Sequence, residues 1–187
     1  MKVPESGMPA EAYWESLFDV PLTLDRLAIR PPIADVIELG CGYGTFTIPV
    51  AQQIDGTIHT FDIERAMVDR TLVRATGAGV ANINAIVRDV LSAGFGLADQ
   101  TCGACLLFNI LHCPNPEALL NEAARVVRTG GRVLVTHWRS DIVTPRGPPL
   151  SIRPRPEQVH AWATAAGLRP DAPVHLPPWH FGIVLRK

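Results

Sequence analysis

Residues 34–46 read ADVIELGCGYGTF. A short apolar run ends at Glu38 and Leu39, and glycines then stand at positions 40, 42 and 44. A buried strand that turns at once into a helix needs glycine where the backbone takes positive φ or lies against a ligand. Loops of this kind hold nucleotides, and several nucleotides are held this way. A dinucleotide fingerprint is G-x-G-x-x-G. Here the run from Gly40 is G-C-G-Y-G-T, so the third glycine is misplaced. No Gly-Lys-Ser/Thr follows, which removes the phosphate loop as well.

Outward from this stretch, apolar runs alternate with helical patterns. Strands are predicted at 34–39, 57–61, 83–88, 102–108 and 132–137, short, mostly apolar and often β-branched, as in sheets covered on both faces. Helices are predicted at 45–53, 64–75, 116–128 and 156–166. In NPEALLNEAARVVRTGG, Asn115 can cap, Pro116 and Glu117 suit a first turn, and Gly130–Gly131 stop the helix. Pro49 fits a helix if that helix begins near Phe46. This alternation predicts a parallel sheet with helices on both faces. No proline falls between Pro49 and Pro114, whereas nine occur from Pro145 onward, so the last third should be a loop-rich margin. Its end, APVHLPPWHFGIVLRK, predicts two strands joined by a Pro-Pro turn as a hairpin at the sheet edge.

Composition sets limits on the rest. A chain of 187 residues fits one domain. With 47% apolar and 19% charged residues and a formal net charge of −1, nothing global attracts nucleic acid or a membrane. The start, MKVPESGMPAEAYW, has no apolar signal core, and no run approaches a membrane span of roughly 18 apolar residues. The expectation is a soluble, cytoplasmic protein. Cys102 and Cys105 form a CxxC, yet they fall in a predicted buried strand with no second ligand pair, and their spacing predicts thiols on opposite faces. Packing cysteines and no metal site are expected.

The charge of Glu38 decides between nucleotides. A carboxylate there is a poor neighbour for a pyrophosphate and a good one for a ligand carrying an ammonium group and a sulfonium. VIELGCGYGTF resembles the first motif of class I S-adenosylmethionine-dependent methyltransferases, whose E/D-x-G-x-G-x-G loop cradles the methionine part of the cofactor. HTFDIERAM resembles the end of their second strand, where an acidic residue grips both ribose hydroxyls, and Asp62 matches it. VRDVL resembles the end of their third strand, which places Asp89 and Val90 at the adenine. The stretch from Leu106 to Val135 resembles their fourth strand, helix and fifth strand, with Asn109 in a cofactor-contacting position. The resemblance covers roughly residues 34–138 closely. It implies S-adenosyl-L-methionine bound by Glu38, Gly40, Cys41, Gly42, Tyr43, Asp62, Ile63, Asp89, Val90 and Asn109, with S-adenosyl-L-homocysteine as product. It also implies a Rossmann-like seven-stranded α/β sheet, mostly parallel with an antiparallel last strand. The single domain would divide into an N-terminal helical lid (1–30), a cofactor-binding core (34–138), and a substrate loop, helix and hairpin (139–187).

Methyl transfer from a sulfonium needs alignment and exclusion of water, and a base only when the nucleophile must lose a proton. His112, after the fourth strand, and His137, at the end of the fifth, are the candidates for a base on one rim. Tyr13 and Trp14 lie on the apolar face of AEAYWESLF, a segment that lids the site in the family or packs on the sheet. Residues 139–155 carry four arginines against Asp141, which makes Arg139 and Arg146 candidates for an anionic group on the substrate. No N-P-P-Y-type run follows the fourth strand, and the chain has little beyond the core for docking a macromolecule, so the expected acceptor is a small molecule. Two other readings stay open. One is a non-catalytic binder of S-adenosylmethionine or S-adenosylhomocysteine. The other is an NAD-dependent oxidoreductase, against which Glu38 and the glycine spacing speak.

Overall fold

The computed structural model describes residues 7–31 and 33–187. Two short helices, α1 (Glu11–Glu15) and α2 (Val20–Arg26), precede strand β1 (Val36–Leu39). The chain then alternates through α3 (Thr47–Ala51), β2 (Ile58–Asp62), α4 (Arg65–Gly77), β3 (Ile83–Val87), α5 (Val90–Ala93), β4 (Cys102–Phe108), α6 (Pro116–Val126) and β5 (Val127–Trp138). A 3-10 turn (Leu150–Ile152), α7 (Pro156–Ala165), β6 (Arg169–Pro170), β7 (Val174–Leu176) and β8 (His180–Arg186) complete it.

The sheet runs β3-β2-β1-β4-β5-β8-β6, with β7 also paired to β8. Strands β1 to β5 are mutually parallel, and β8 is antiparallel to β5, β6 and β7. Because β6 and β7 share one edge of β8, the eight strands occupy seven positions across the sheet. The expected hairpin forms between β7 and β8 around a cis Pro177–Pro178 bond, but only β7 lies at the edge. β8 is interior, which its apolar run FGIVL explains: all five residues are buried between β5 and the short edge strands.

Alternation along the strands sorts the core into two layers. Ile37, Leu39, Val133, Val135 and Ile183 face the layer under α6 and α7, while Val36, Leu106, Leu134 and Val184 face the layer under α2 and α3. Helix α3 has Phe46 at its N-cap, so Pro49 lies in the first turn, where its missing N–H costs nothing. Asn115 caps α6 by accepting from the Ala118 amide at 3.0 Å. That helix ends at Val126, before the glycine pair expected to stop it. Gly130 and Gly131 instead form an irregularity where β5 joins β4, and a Cβ at Gly131 would stand 2.7 Å from the Gly103 carbonyl oxygen. Beside the same register shift, between Cys102 and Ala104, the reading of the cysteines is corrected. Cys102 joins Cys105 in one apolar layer rather than facing away from it. All four cysteines are free and buried, and desolvation raises the thiol pKa values.

The chain order creates the site. From β1 it steps outward to β2 and β3, then returns to β4 on the other side of β1. Loops leaving the carboxyl ends of β1 and β4 therefore diverge, and open α/β sheets bind ligands in the crevice this leaves. Among the described residues, no helix is long and apolar enough to cross a membrane.

Candidate active site

At that crevice lies a pocket walled by the turn after β1, the ends of β2 to β4, and residues 146–148. Gly40, Gly42 and Gly44 all have positive φ, at 86°, 52° and 78°. Each anchor of the turn is polar and comes from β2 or α4. The Gly40 amide donates to the Phe61 carbonyl at 2.6 Å, and the Gly42 amide donates to Asp62 Oδ2 at 3.1 Å. Thr71 and Arg74, both on α4, donate to the carbonyls of Gly42 and Tyr43 at 3.0 and 2.8 Å. A Cβ on Gly42 would also sit 3.0 Å from Met8 Cε, so this glycine answers both to conformation and to close approach.

Glu38 is 2% exposed yet lies on the pocket wall. Alternation from Val36 turns it toward the face that carries Thr60 on β2 and Thr47 at the start of α3. Both hydroxyls donate to the same oxygen, Oε2, at 2.7 and 2.6 Å. Desolvation pushes the carboxyl pKa up to about 7 against these two bonds, with Asp62 adding to the rise. No cation among the described residues pairs with it. Such a group is poised to gain from a positive ligand.

Asp62 is pinned at both oxygens. Oδ2 accepts from the Gly42 amide and, at 3.7 Å, from Cys41 Sγ, while Oδ1 accepts from the Glu64 amide at 2.9 Å. A carboxylate has about four lone-pair sites, so one remains for a hydroxyl, and a second opens if the long Cys41 contact yields. Ile63, Asp89 and Val90 line the same wall, as do Gly40 and Cys41. Tyr43 does not; its hydroxyl donates to the Pro9 carbonyl at 2.6 Å and ties the N-terminal segment to the turn.

Asn109 leaves β4 with φ 55°, a left-handed conformation that asparagine tolerates better than most residues. Its amide donates to the Thr136 carbonyl at 2.8 Å, but its side-chain Oδ1 is buried with no hydrogen-bond partner among the described residues, in a residue that lines the pocket. A buried acceptor left unsatisfied costs roughly 1–3 kcal/mol. A ligand with a donor at that point would recover it.

The opposite wall comes from distant parts of the chain. Trp14, Trp138, His112, Arg146, Gly147 and Pro148 line it. Tyr13 lies outside the pocket, with its hydroxyl donating to the Pro145 carbonyl at 3.4 Å, and Arg146 donates to the Gly7 carbonyl. Arg139 also lies outside, in a two-pronged pair with Asp141 at 3.0 and 2.7 Å. Arg146 has no carboxylate partner among the described residues. His137 departs from the expected rim position: it is fully buried and does not line the pocket, lying behind His112, whose Nδ1 is 3.1 Å from His137 Nε2, and Trp138, whose carbonyl oxygen is 3.2 Å from His137 Nδ1. Among the described residues no group of three or more His, Cys, Asp or Glu could hold a metal ion.

Several working residues carried no sequence signal. Arg153 is 7% exposed and donates to the carbonyls of Pro148, Arg139 and Arg146, at 2.7, 2.8 and 3.3 Å, with its guanidinium 5.9 Å from the Trp138 ring. It gathers the loop into a wall. Thr47 and Thr60 were legible only once Glu38 was known to face them. Trp138 seemed an ordinary strand end, yet a Cβ on Gly147 would stand 2.8 Å from its ring.

Comparison with known proteins agrees with this geometry. A family model described as a methyltransferase domain matches residues 36–131. Aklanonic acid methyltransferase DauC of Streptomyces sp. (strain C5) is 27% identical over 125 residues, which cover 64% of this chain and 56% of that protein. Nocamycin O-methyltransferase of Saccharothrix syringae is 28% identical over 120 residues, covering 60% and 40%. The chain thus spans about half the length of the curated relatives it matches. A solved SAM-dependent methyltransferase from Aquifex aeolicus superposes with a TM-score of 0.81 at 20% identity, covering 94% of this chain and 92% of that one. At that identity the likeness concerns the fold.

Proposed function

The chain belongs to the methyltransferase-domain family, and from that premise we propose that it transfers a methyl group from S-adenosyl-L-methionine to a small molecule. The observation that carries the reading is Glu38, a buried carboxylate on the pocket wall, bonded by two threonines and matched by no cation among the described residues. A sulfonium cofactor with an ammonium group supplies that cation, and the same molecule carries a vicinal diol and an amine. Asp62 is the acceptor for the diol, and Gly40, with nothing within 4 Å of where its Cβ would stand, leaves room for close approach. Asn109 offers Oδ1 to a donor, and Asp89 and Val90 edge the far end of the pocket.

When bound, the cofactor provides an electrophilic methyl group and a good leaving group. The chain's own contribution is alignment and dryness. Trp14, Trp138 and Pro148 close the acceptor side with apolar surface, and Arg146 places a cation at its mouth. In this reading the N-terminal segment 1–30 supplies the lid, residues 34–138 the cofactor core, and residues 139–187 the acceptor wall. Two curated relatives are named for small natural products, which suits a pocket closed by one loop and one short helix.

Radiolabelled methyl transfer tests the reading. Incubation with methyl-labelled S-adenosyl-L-methionine and a panel of small phenols, enols and carboxylic acids should move label into an extractable product. Cofactor binding without transfer to any member would favour a non-catalytic binder instead.

A further inference from the structure

Arg146 stands apart from the other arginines of its loop. Arg139 is paired with Asp141 through two hydrogen bonds, and Arg153 is buried on three carbonyls. Arg146 is half-buried on the pocket wall, where its guanidinium donates to the Gly7 carbonyl and meets no carboxylate among the described residues. A guanidinium carries several N–H donors, so most of them remain for a ligand. The backbone beneath it is fixed. The Arg146 carbonyl accepts from Thr144 Oγ1 and from Arg153 Nη2, and a Cβ on Gly147 would stand 2.8 Å from the Trp138 ring, so the loop lies directly on that indole. A cation mounted this way loses little freedom on pairing with a ligand.

The same pocket is rich in aromatic surface. Trp14, Phe46, Phe108 and Trp138 all line it. Phe18 bridges three of them, with ring centroids 4.8, 5.3 and 6.1 Å from those of Trp14, Phe46 and Trp138, and Phe46 lies 4.9 Å from Phe108. Such a cluster offers flat apolar surface to a flat apolar ligand. We propose that Arg146 is a specificity-determining residue that pairs with a carboxylate on the methyl acceptor, and that the acceptor is a planar aromatic acid whose rings lie along these side chains. The inference rests on the methyl-transfer reading and goes further by naming the acceptor's class. One guanidinium matches one carboxylate in a two-pronged pair. A phosphate dianion would bring a second negative charge, and the acceptor wall holds no second arginine or lysine among the described residues. The pocket's other guanidinium, Arg88, is turned to the carbonyls of Ala93 and Gly94, at 2.8 and 2.6 Å, while Glu38, Asp62, Glu64 and Asp89 all contribute carboxyl groups to the lining. A single negative charge is what this pocket can match.

The test is calorimetric, on the full chain saturated with S-adenosyl-L-homocysteine, and its probes are 2-naphthoate, 2-naphthamide, 2-naphthyl phosphate and acetate. 2-Naphthoate should bind about tenfold or more tighter than 2-naphthamide, as for a hydrogen bond to a charged group. That preference should shrink to within about twofold in Arg146→Gln, where the charge is gone. Arg146→Lys should keep part of it, because the charge stays while the fork is lost. 2-Naphthyl phosphate should bind no tighter than 2-naphthoate, and acetate should not displace it. Equal binding of 2-naphthoate and 2-naphthamide, no binding of 2-naphthoate at millimolar concentration, or a preference unchanged in Arg146→Gln overturns the proposal. Tighter binding of the phosphate overturns the carboxylate assignment, and displacement by acetate at equal concentration overturns the aromatic one. The wild-type comparisons decide the matter even if a variant does not fold. Titration of the unloaded chain with S-adenosyl-L-homocysteine separates the two layers: failure to bind removes the methyl-transfer reading, while the naphthoate and naphthamide comparison, run on the unloaded chain, judges Arg146 on its own.

Discussion

The two walls of the pocket are built by different means. The cofactor wall is made of strand ends and the turns that leave them, and most of its bonds join residues 20–30 positions apart on neighbouring elements, such as Gly42 with Asp62 and Thr60 with Glu38. The acceptor wall joins the two ends of the chain. Tyr13 meets Pro145, Arg146 meets Gly7, and Arg153 holds three carbonyls of its own loop. One wall is therefore a property of the sheet, while the other depends on a loop and a short helix with no buried residue of its own. Changes on the first should alter cofactor affinity, and changes on the second should spare it.

The largest effect is expected at Glu38. Glu38→Gln removes the negative charge while keeping an acceptor for the threonines, and cofactor affinity should fall roughly 10–100-fold, as for loss of a hydrogen bond to a charged group. The same change should stabilise the unliganded fold at pH 8. Burial raises the Glu38 pKa from 4.5 to about 7, so the folded state disfavours its ionised form. Folding stability from this group is full below about pH 4.5 and declines as pH rises toward 7, reaching a deficit of order 3 kcal/mol at pH 8. Urea unfolding at pH 8 should therefore show Glu38→Gln more stable than wild type while calorimetry shows weaker binding. A variant that loses both would place Glu38 in the core rather than the site.

Arg153→Leu probes the other wall. It leaves three loop carbonyls without their donor, and a loss of about 2–3 kcal/mol in urea unfolding is expected. Cofactor affinity should stay within about twofold of wild type. A large drop in cofactor affinity would mean that the two walls are not separable.

The fold was legible because its signals are periodic. β4 at Cys102–Phe108 and the Asn115 cap of α6 follow from apolar runs and capping chemistry alone. That Glu38, Asp62 and Asn109 would lie at the crevice was legible for a related reason, since each stands at or just past the end of a strand there. The acceptor wall was not. Arg139 and Arg146 are the same residue type in the same loop, and only the distances show one paired with Asp141 and the other on the pocket. Arg153 has no signature at all, because a buried guanidinium fed by carbonyls depends on where the loop folds back. The cysteines misled because Cys102 packs in the same apolar layer as Cys105, beside the irregular pairing where two steps of β4 face five of β5.

Two smaller effects sharpen the contrast. Below pH 7 a positive ligand must displace the proton of Glu38, so cofactor affinity should rise up to about tenfold between pH 6 and pH 8. Calorimetry in buffers of different ionisation enthalpy should show proton release near pH 6.5. Arg70→Ala removes the 2.8 Å pair that docks Glu11 of α1 on α4. This pair is partly exposed, so stability should fall by less than about 1 kcal/mol. If α1 is the lid proposed above, cofactor dissociation, followed by stopped-flow fluorescence of the four tryptophans, should quicken a few-fold.

The central claim is that the turn after β1 and Glu38 form a site for a sulfonium nucleoside. Isothermal titration of the wild-type protein at pH 7.5 with S-adenosyl-L-methionine, and separately with NADH, tests it most directly. One S-adenosyl-L-methionine per chain at micromolar affinity, weakened in Glu38→Gln, with no heat from NADH, is the predicted result. Binding of NADH, or no binding of S-adenosyl-L-methionine by a folded protein, would contradict it.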